Sequence, residues 1–278
     1  MATTGDRDEF GDRMKRYEAV ETSRTLPPGL PYYARIDGRG FSKFTRSMQR
    51  PFDPRMTAAM IATAKHLVGS TGARIGYMQS DEISLVWLDN APESEPLFGS
   101  KVHKLTSVLA SLAAASFQHE LRQSFNSETA QELCGMLPHF DARVFSLPNT
   151  GEAANAILWR TLDARKNAVS MATRAFYPAT AMHGADQSTM LRMLADKGID
   201  FEAYPDSFKF GTWLRRAFFD RAHSDEQRAA IPEKYRPPVG AVVSRSDVCV
   251  VEMPEFVTLR NRVEVIFDGA DPITEAKP

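Results

Sequence analysis

Between Tyr32 and Glu82 two short apolar runs each end in an acidic turn. Arg35-Ile36-Asp37-Gly38-Arg39-Gly40-Phe41 closes the first and Gln79-Ser80-Asp81-Glu82 the second. Runs this short, rich in β-branched and aromatic residues, read as strands, so each turn sets a carboxylate at a strand tip. The surrounding pattern has the order β-α-β-β-α-β, with strands at 31–36, 75–78, 83–88 and 140–147 and helices at 54–69 and 100–125. That order is the ferredoxin-like arrangement of an α+β fold. Right-handed crossovers place the first strand beside the third and antiparallel to it, so connectivity alone brings Asp37 and Asp81 together.

The flanking segments are less constrained. Residues 1–30 form an N-terminal arm with helical potential at 9–21, stopped by Leu26-Pro27-Pro28-Gly29. A loop containing Pro92 and Pro96 leads into the second helix. Beyond the βαββαβ unit at 31–150, the region 151–278 reads as mostly helical, with helices at 153–172, 187–197 and 208–228, strand-like pieces at 248–251 and 263–267, and a loose tail over the last ten residues.

With 43% hydrophobic and 25% charged residues, and no apolar run near the ~20 needed to span a bilayer, the chain has the composition of a soluble globular protein with no membrane partner. Its first residues are polar and acidic, unlike a secretion signal, which points to the cytoplasm. Cys134 and Cys249 are far apart and the six histidines are scattered, which argues against a disulfide framework or structural zinc. A net charge of −1 gives no whole-chain sign of nucleic acid, but a local basic patch is enough for phosphate binding.

Two converging carboxylates, Asp37 and Asp81, with the Gly38 carbonyl as a further oxygen ligand, are what a site for two Mg²⁺ ions in phosphoryl chemistry requires. Lys101 and Lys104 stand three apart near a helix N-terminus, where cations and free amides suit a triphosphate. Arg39 and Arg50 are further phosphate candidates. Aromatic and basic residues interleave at 159–167 and 209–216, a mixture that suits RNA and makes Arg165, Lys166, Asn167, Lys209, Arg215 and Arg216 candidates for binding it.

The pairing of Arg35-Ile36-Asp37-Gly38-Arg39-Gly40-Phe41-Ser42-Lys43-Phe44 with Gln79-Ser80-Asp81-Glu82-Ile83-Ser84 resembles the tRNA-histidine guanylyltransferase family of 3′-to-5′ nucleotide polymerases. Arg50-Pro51, Lys101, Lys104, Phe140-Asp141-Ala142-Arg143-Val144 and the basic site at Lys197 add to the resemblance. It implies a polymerase-type palm in which Asp37, the Gly38 carbonyl and Asp81 bind two Mg²⁺. Asp37, Gly38, Arg39, Gly40, Phe41, Ser42, Ser80 and Asp81 would line the nucleotide site, with Lys101 and Lys104 on the triphosphate. It further implies activation of a tRNA 5′ end by ATP, or a 5′-triphosphate start, then attack by the 3′-hydroxyl of GTP or another nucleotide, in a homotetramer. Where eukaryotic members carry His-Ile-Asn-Asn-Leu-Tyr-Asn, this chain has Arg165-Lys166-Asn167-Ala168-Val169-Ser170-Met171. In this it looks more like the template-dependent branch that repairs truncated tRNA 5′ ends than the branch that adds guanylate to tRNA-histidine.

Two rival readings remain at this stage. A nucleotide cyclase of similar palm topology also uses two aspartates and two metals. Arg39-Gly40-Phe41-Ser42-Lys43-Phe44 superficially fits the signature of a non-catalytic RNA-recognition module, although that signature belongs on a third strand and here follows the first.

Overall fold

A computed structural model describes residues 4–88 and 95–274; the expected loop around Pro92 lies outside them. The elements run α1 (Thr4–Thr22), β1 (Tyr32–Gly38), α2 (Phe41–Phe44), α3 (Pro54–Thr71), β2 (Ile75–Gln79), β3 (Glu82–Trp87), α4 (Val102–Ser124), α5 (Ser127–Gly135) and β4 (Phe140–Ser146). There follow α6 (Thr150–Arg174), α7 (Gln187–Asp196), α8 (Asp206–Lys209), β5 (Thr212–Ala222), α9 (Asp225–Ala229), β6 (Val242–Val251) and α10 (Arg262–Phe267).

One six-stranded sheet has the order β4-β1-β3-β2-β5-β6. Its first four strands are the expected ferredoxin-like unit, and β1 lies antiparallel to β3 with Asp37 opposite Glu82. Period-two alternation sorts the side chains. Ala34, Ile36, Ile83 and Leu85 join the core beneath α3 and α4, while Tyr33, Tyr77, Val86 and Trp213 join the core on the other face, beneath α6 and α10. Arg35 and Asp37 therefore share the face of Tyr33, whose hydroxyl is 2.6 Å from that of Ser84.

Helix boundaries follow local chemistry. Asp53 caps α3 by accepting from the Arg55 amide at 2.9 Å, Pro54 occupies the first turn, and Gly72 ends the helix in the left-handed region at φ 68°. Asn149 caps α6 in the same way, accepting from the Glu152 amide at 2.9 Å.

The C-terminal region corrects the sequence reading in three places. The helix expected at 208–228 is instead the short α8 followed by the strand β5. β2 offers a free edge, β5 pairs with it at Gly76, Tyr77 and Met78, and β6 pairs with β5 from Trp213↔Val251 to Ala222↔Val242. Sheet pairing overrides helical propensity there. Gly211, at φ +81°, turns the chain between the two; a Cβ would meet the Met78 carbonyl and the Tyr77 ring at 2.7 Å. The strand expected at 263–267 is α10, which buries Val265 and Ile266. The tail is tied down at least to Thr274, which bridges to Leu259, with the Arg260 amide donating to the Ile273 carbonyl at 2.9 Å.

Candidate active site

Asp37 and Asp81 meet because β1 ends where the β2–β3 hairpin turns. The Gly38 amide donates to the Asp81 carbonyl at 3.0 Å, stitching the two tips together. Gly38 is required for packing as well, since a Cβ there would lie 2.5–2.7 Å from the Phe41 ring. Phe41 anchors α2 in a cluster with Phe44, Phe117 and Phe140, at centroid distances of 5.0, 5.5 and 5.1 Å. At the other tip Ser80 adopts φ 57°. A non-glycine residue in that region stores about 1–3 kcal/mol of strain.

Electrostatics mark the same place. Burial, reinforced by the negative charge of Asp37, pushes the Asp81 carboxyl up to about 6. Asp37 is raised by burial and by Asp141, its partner across β4, against the pull of Arg35 and Arg160. Two half-buried carboxylates, both raised and with Asp37 adding to the shift of Asp81, form a site that a cation stabilises. Next to them Glu82 is already paired: Arg160 from α6 grips both its oxygens at 2.7 Å, and the Arg35 Nε is 4.0 Å away. Among the described residues no three His, Cys, Asp or Glu side chains are grouped to hold a metal. Magnesium in nucleotidyl transfer needs only one or two carboxylates, the substrate phosphates and water completing its shell, and Asp37, Asp81 and the Gly38 carbonyl fit that requirement.

A cavity of about 570 Å³ opens beside Asp81, between the segment 41–57 and the ends of α6 and α8. Phe41, Ser42, Arg50, Ser80 and Asp81, all singled out from sequence, line it. Gln49, Phe52, Gln79, Met171, Arg174 and Phe208 line it too and were not anticipated. Arg174 sits at the last turn of α6, more than ninety positions from Asp81, and nothing in the sequence links the two. Glu82 and Arg160, 78 positions apart, are equally invisible as a pair.

Other candidates are placed differently. Arg39 and Gly40 are exposed at the turn, with the Arg39 amide on the His139 carbonyl at 3.0 Å. Lys101 and Lys104 are not brought to the carboxylates within one chain. Because β3 runs away from Asp81, α4 starts at the far end of the sheet. Phe117 of α4 packs on Phe41 and Phe140 near the Asp37 turn, so Lys101, which bridges to Thr25, lies about 24 Å back along the helix at roughly 1.5 Å per residue.

The proposed RNA cations also divide. Arg165 pairs with Glu202 at 2.8 Å and, with the exposed Lys166, lines a second cavity of about 240 Å³ beside Phe210 and Trp213; Asn167 is exposed next to them. Lys197 is exposed, its ammonium 5.5 Å from the Tyr177 ring. Lys209, 7% exposed, is held by the Glu202 carbonyl at 2.8 Å and by Asp206 at 3.2 Å. Arg215 reaches the Val265 carbonyl at 3.5 Å, and Arg216 bonds the Gly69 carbonyl at 2.6 Å and Ser246 at 2.8 Å. Lys209 thus ties α8 to the turn before it, while β5 carries Arg215 to α10 and Arg216 to α3 and β6.

Comparison with known proteins identifies the scaffold. Residues 11–148 match the family described as Thg1, tRNAHis guanylyltransferase. A bacterial tRNA(His) guanylyltransferase (Thg1)-like protein solved with ATP superposes with a TM-score of 0.68 at 32% identity, covering 74% of this chain and 88% of that one. Another such structure, solved with GTP, gives 0.67 at 28% identity over 90% and 94%. The tRNA(His) guanylyltransferase of Schizosaccharomyces pombe is 26% identical over 270 residues, 91% of this chain and 96% of its own. With its palm sheet, its two acidic tips and these relatives, the chain belongs to the tRNAHis guanylyltransferase family of nucleotidyltransferases.

Proposed function

We propose that this protein adds nucleotides to the 5′ end of tRNA in the 3′-to-5′ direction, with template-directed repair of truncated ends as its task. The observation that carries the reading is the pairing of the Asp37 and Asp81 tips, Asp81 being pushed up to about 6 by burial and by Asp37, with Asp81 also on the wall of a cavity of nucleotide size. Asp37, Asp81 and the Gly38 carbonyl would hold magnesium, which when bound would polarise the attacking hydroxyl and offset charge on the phosphates.

The chain's own groups do the rest. The cavity beside Asp81 takes the nucleoside triphosphate, in keeping with the ATP and GTP carried by the bacterial relatives. Arg50 and Arg174, both on its wall, are suited to the phosphates by bidentate hydrogen bonding. Arg160 neutralises Glu82, so the site carries two free carboxylates rather than three. Phe41 fixes the Asp37 turn by packing on Gly38. Repair is favoured over guanylate addition by the departure at Arg165-Lys166-Asn167-Ala168-Val169-Ser170-Met171. The division into an arm, a palm and a C-terminal region, the homotetramer and cytoplasmic residence belong to the same proposal.

The test is a tRNA lacking its first 5′ nucleotide, incubated with magnesium and all four nucleoside triphosphates. Growth at the 5′ end with base choice set by the opposite strand supports repair. Guanylate added only to full-length tRNA-histidine supports the other branch. Cyclic nucleotide with no longer RNA overturns both.

A further inference from the structure

Of the three tryptophans, Trp87 and Trp213 are 2% and 4% exposed, whereas Trp159 is 54% exposed. It sits on α6, which buries Ala153, Ala154 and Ile157 against the sheet. Its ring is pinned by two cations: the guanidinium carbons of Arg160 and Arg35 lie 4.6 and 5.5 Å from its centroid. Both cations are tethered in turn to Glu82, at 2.7 and 4.0 Å. The ring is thus held in position while much of its surface stays open to solvent.

Its place in the fold is specific. Arg35 precedes Asp37 by two residues on the same sheet face, about 7 Å along β1, which is about two nucleotide steps of a helical strand. Arg143 on the edge strand lies opposite Arg35, and its side chain is 56% exposed. An open aromatic ring and an exposed guanidinium, held only by the exposed Asp141 at 3.6 Å, meet the two needs of an RNA end, a surface to stack on and a cation for phosphate.

We infer that Trp159 is the stacking platform for a terminal base of the RNA whose 5′ end is delivered to Asp37 and Asp81, with Arg143 holding an adjacent phosphate. The inference rests on the function proposed above and names how that substrate is held. Stacking is indifferent to base identity because every base has a π-face, which suits an enzyme that must accept any first nucleotide. The ring is rimmed by ion-paired charges, Arg35 and Arg160 with Glu82 and Asp163, and Arg143 with Asp141, and an apolar protein surface would have to desolvate them.

The test compares native protein, Trp159→Ala and Trp159→Phe on a hairpin RNA of one acceptor stem lacking its first 5′ nucleotide. The alanine variant is expected to raise KM for RNA by about 5- to 150-fold, leaving kcat and KM for the nucleoside triphosphate within about twofold; phenylalanine restores most of the loss. RNA alone, without nucleotide, quenches the fluorescence of the native protein and not of Trp159→Phe. An unchanged KM for RNA in Trp159→Ala, or a change of oligomeric state in that variant pointing to a second copy over Trp159 and the exposed Leu162 one turn on, overturns the inference. If the native protein adds no nucleotide, the function proposed above fails, while fluorescence quenching by RNA still reports on Trp159 itself.

Discussion

Replacing Asp81 by asparagine should stabilise the protein while abolishing nucleotide transfer. Burial and the charge of Asp37 hold this carboxyl at about 6 instead of 3.8. A carboxyl whose folded value is raised penalises the folded state as pH rises: the unfolded chain ionises near 3.8, the folded one only near 6, and above that the full penalty applies. At about 1.4 kcal/mol per pH unit the gap corresponds to about 3 kcal/mol. Solvent reaching the hairpin tip screens part of it, leaving about 1–2 kcal/mol at pH 8. The amide carries no charge, so Asp81→Asn is expected to raise the melting temperature in chelator at pH 8 by about 2–8 °C. The advantage should shrink between pH 6 and 4 and vanish below 3.8, where Asp81 is protonated in both states. Magnesium should raise the melting temperature of the native protein and leave that of Asp81→Asn unmoved. Equal or lower stability of the variant at pH 8, or an advantage independent of pH, would refute the claim that the two carboxylates are held together under mutual repulsion.

Three further outcomes follow from packing and charge. Gly38→Ala drives a Cβ into the Phe41 ring at 2.5 Å, and should lower unfolding free energy in urea by about 1–3 kcal/mol together with loss of transfer activity. Arg160→Met strands the Glu82 carboxylate, 14% exposed, and should destabilise by about 3–5 kcal/mol; the double variant with Glu82→Gln should recover much of this in a thermal melt, and no recovery would mean that the pair does not act as a unit. Arg174→Ala should raise KM for the nucleoside triphosphate by roughly 10- to 150-fold, the worth of a charge-assisted hydrogen bond, with KM for RNA unchanged in steady-state kinetics.

The sequence by itself determined the palm. The order of strands and helices from β1 to β4, the handedness of crossovers and the two acidic turns were enough to predict that Asp37 and Asp81 meet, because chain connectivity leaves few ways to arrange that unit. Tertiary structure alone decided what depends on contacts between distant segments. β5 became a strand because β2 offered a free edge, although Gly211 was a legible break before it. The same event carries Arg215 to the Val265 carbonyl and Arg216 to the Gly69 carbonyl, contacts that spacing alone did not show. Lys101 and Lys104 sat at a helix N-terminus as read, but the direction of β3 put that terminus at the far end of the sheet. Arg160 on Glu82, Arg174 in the cavity and the open face of Trp159 arise where α6 crosses the sheet, and no local pattern of spacing or composition encodes where a helix will cross.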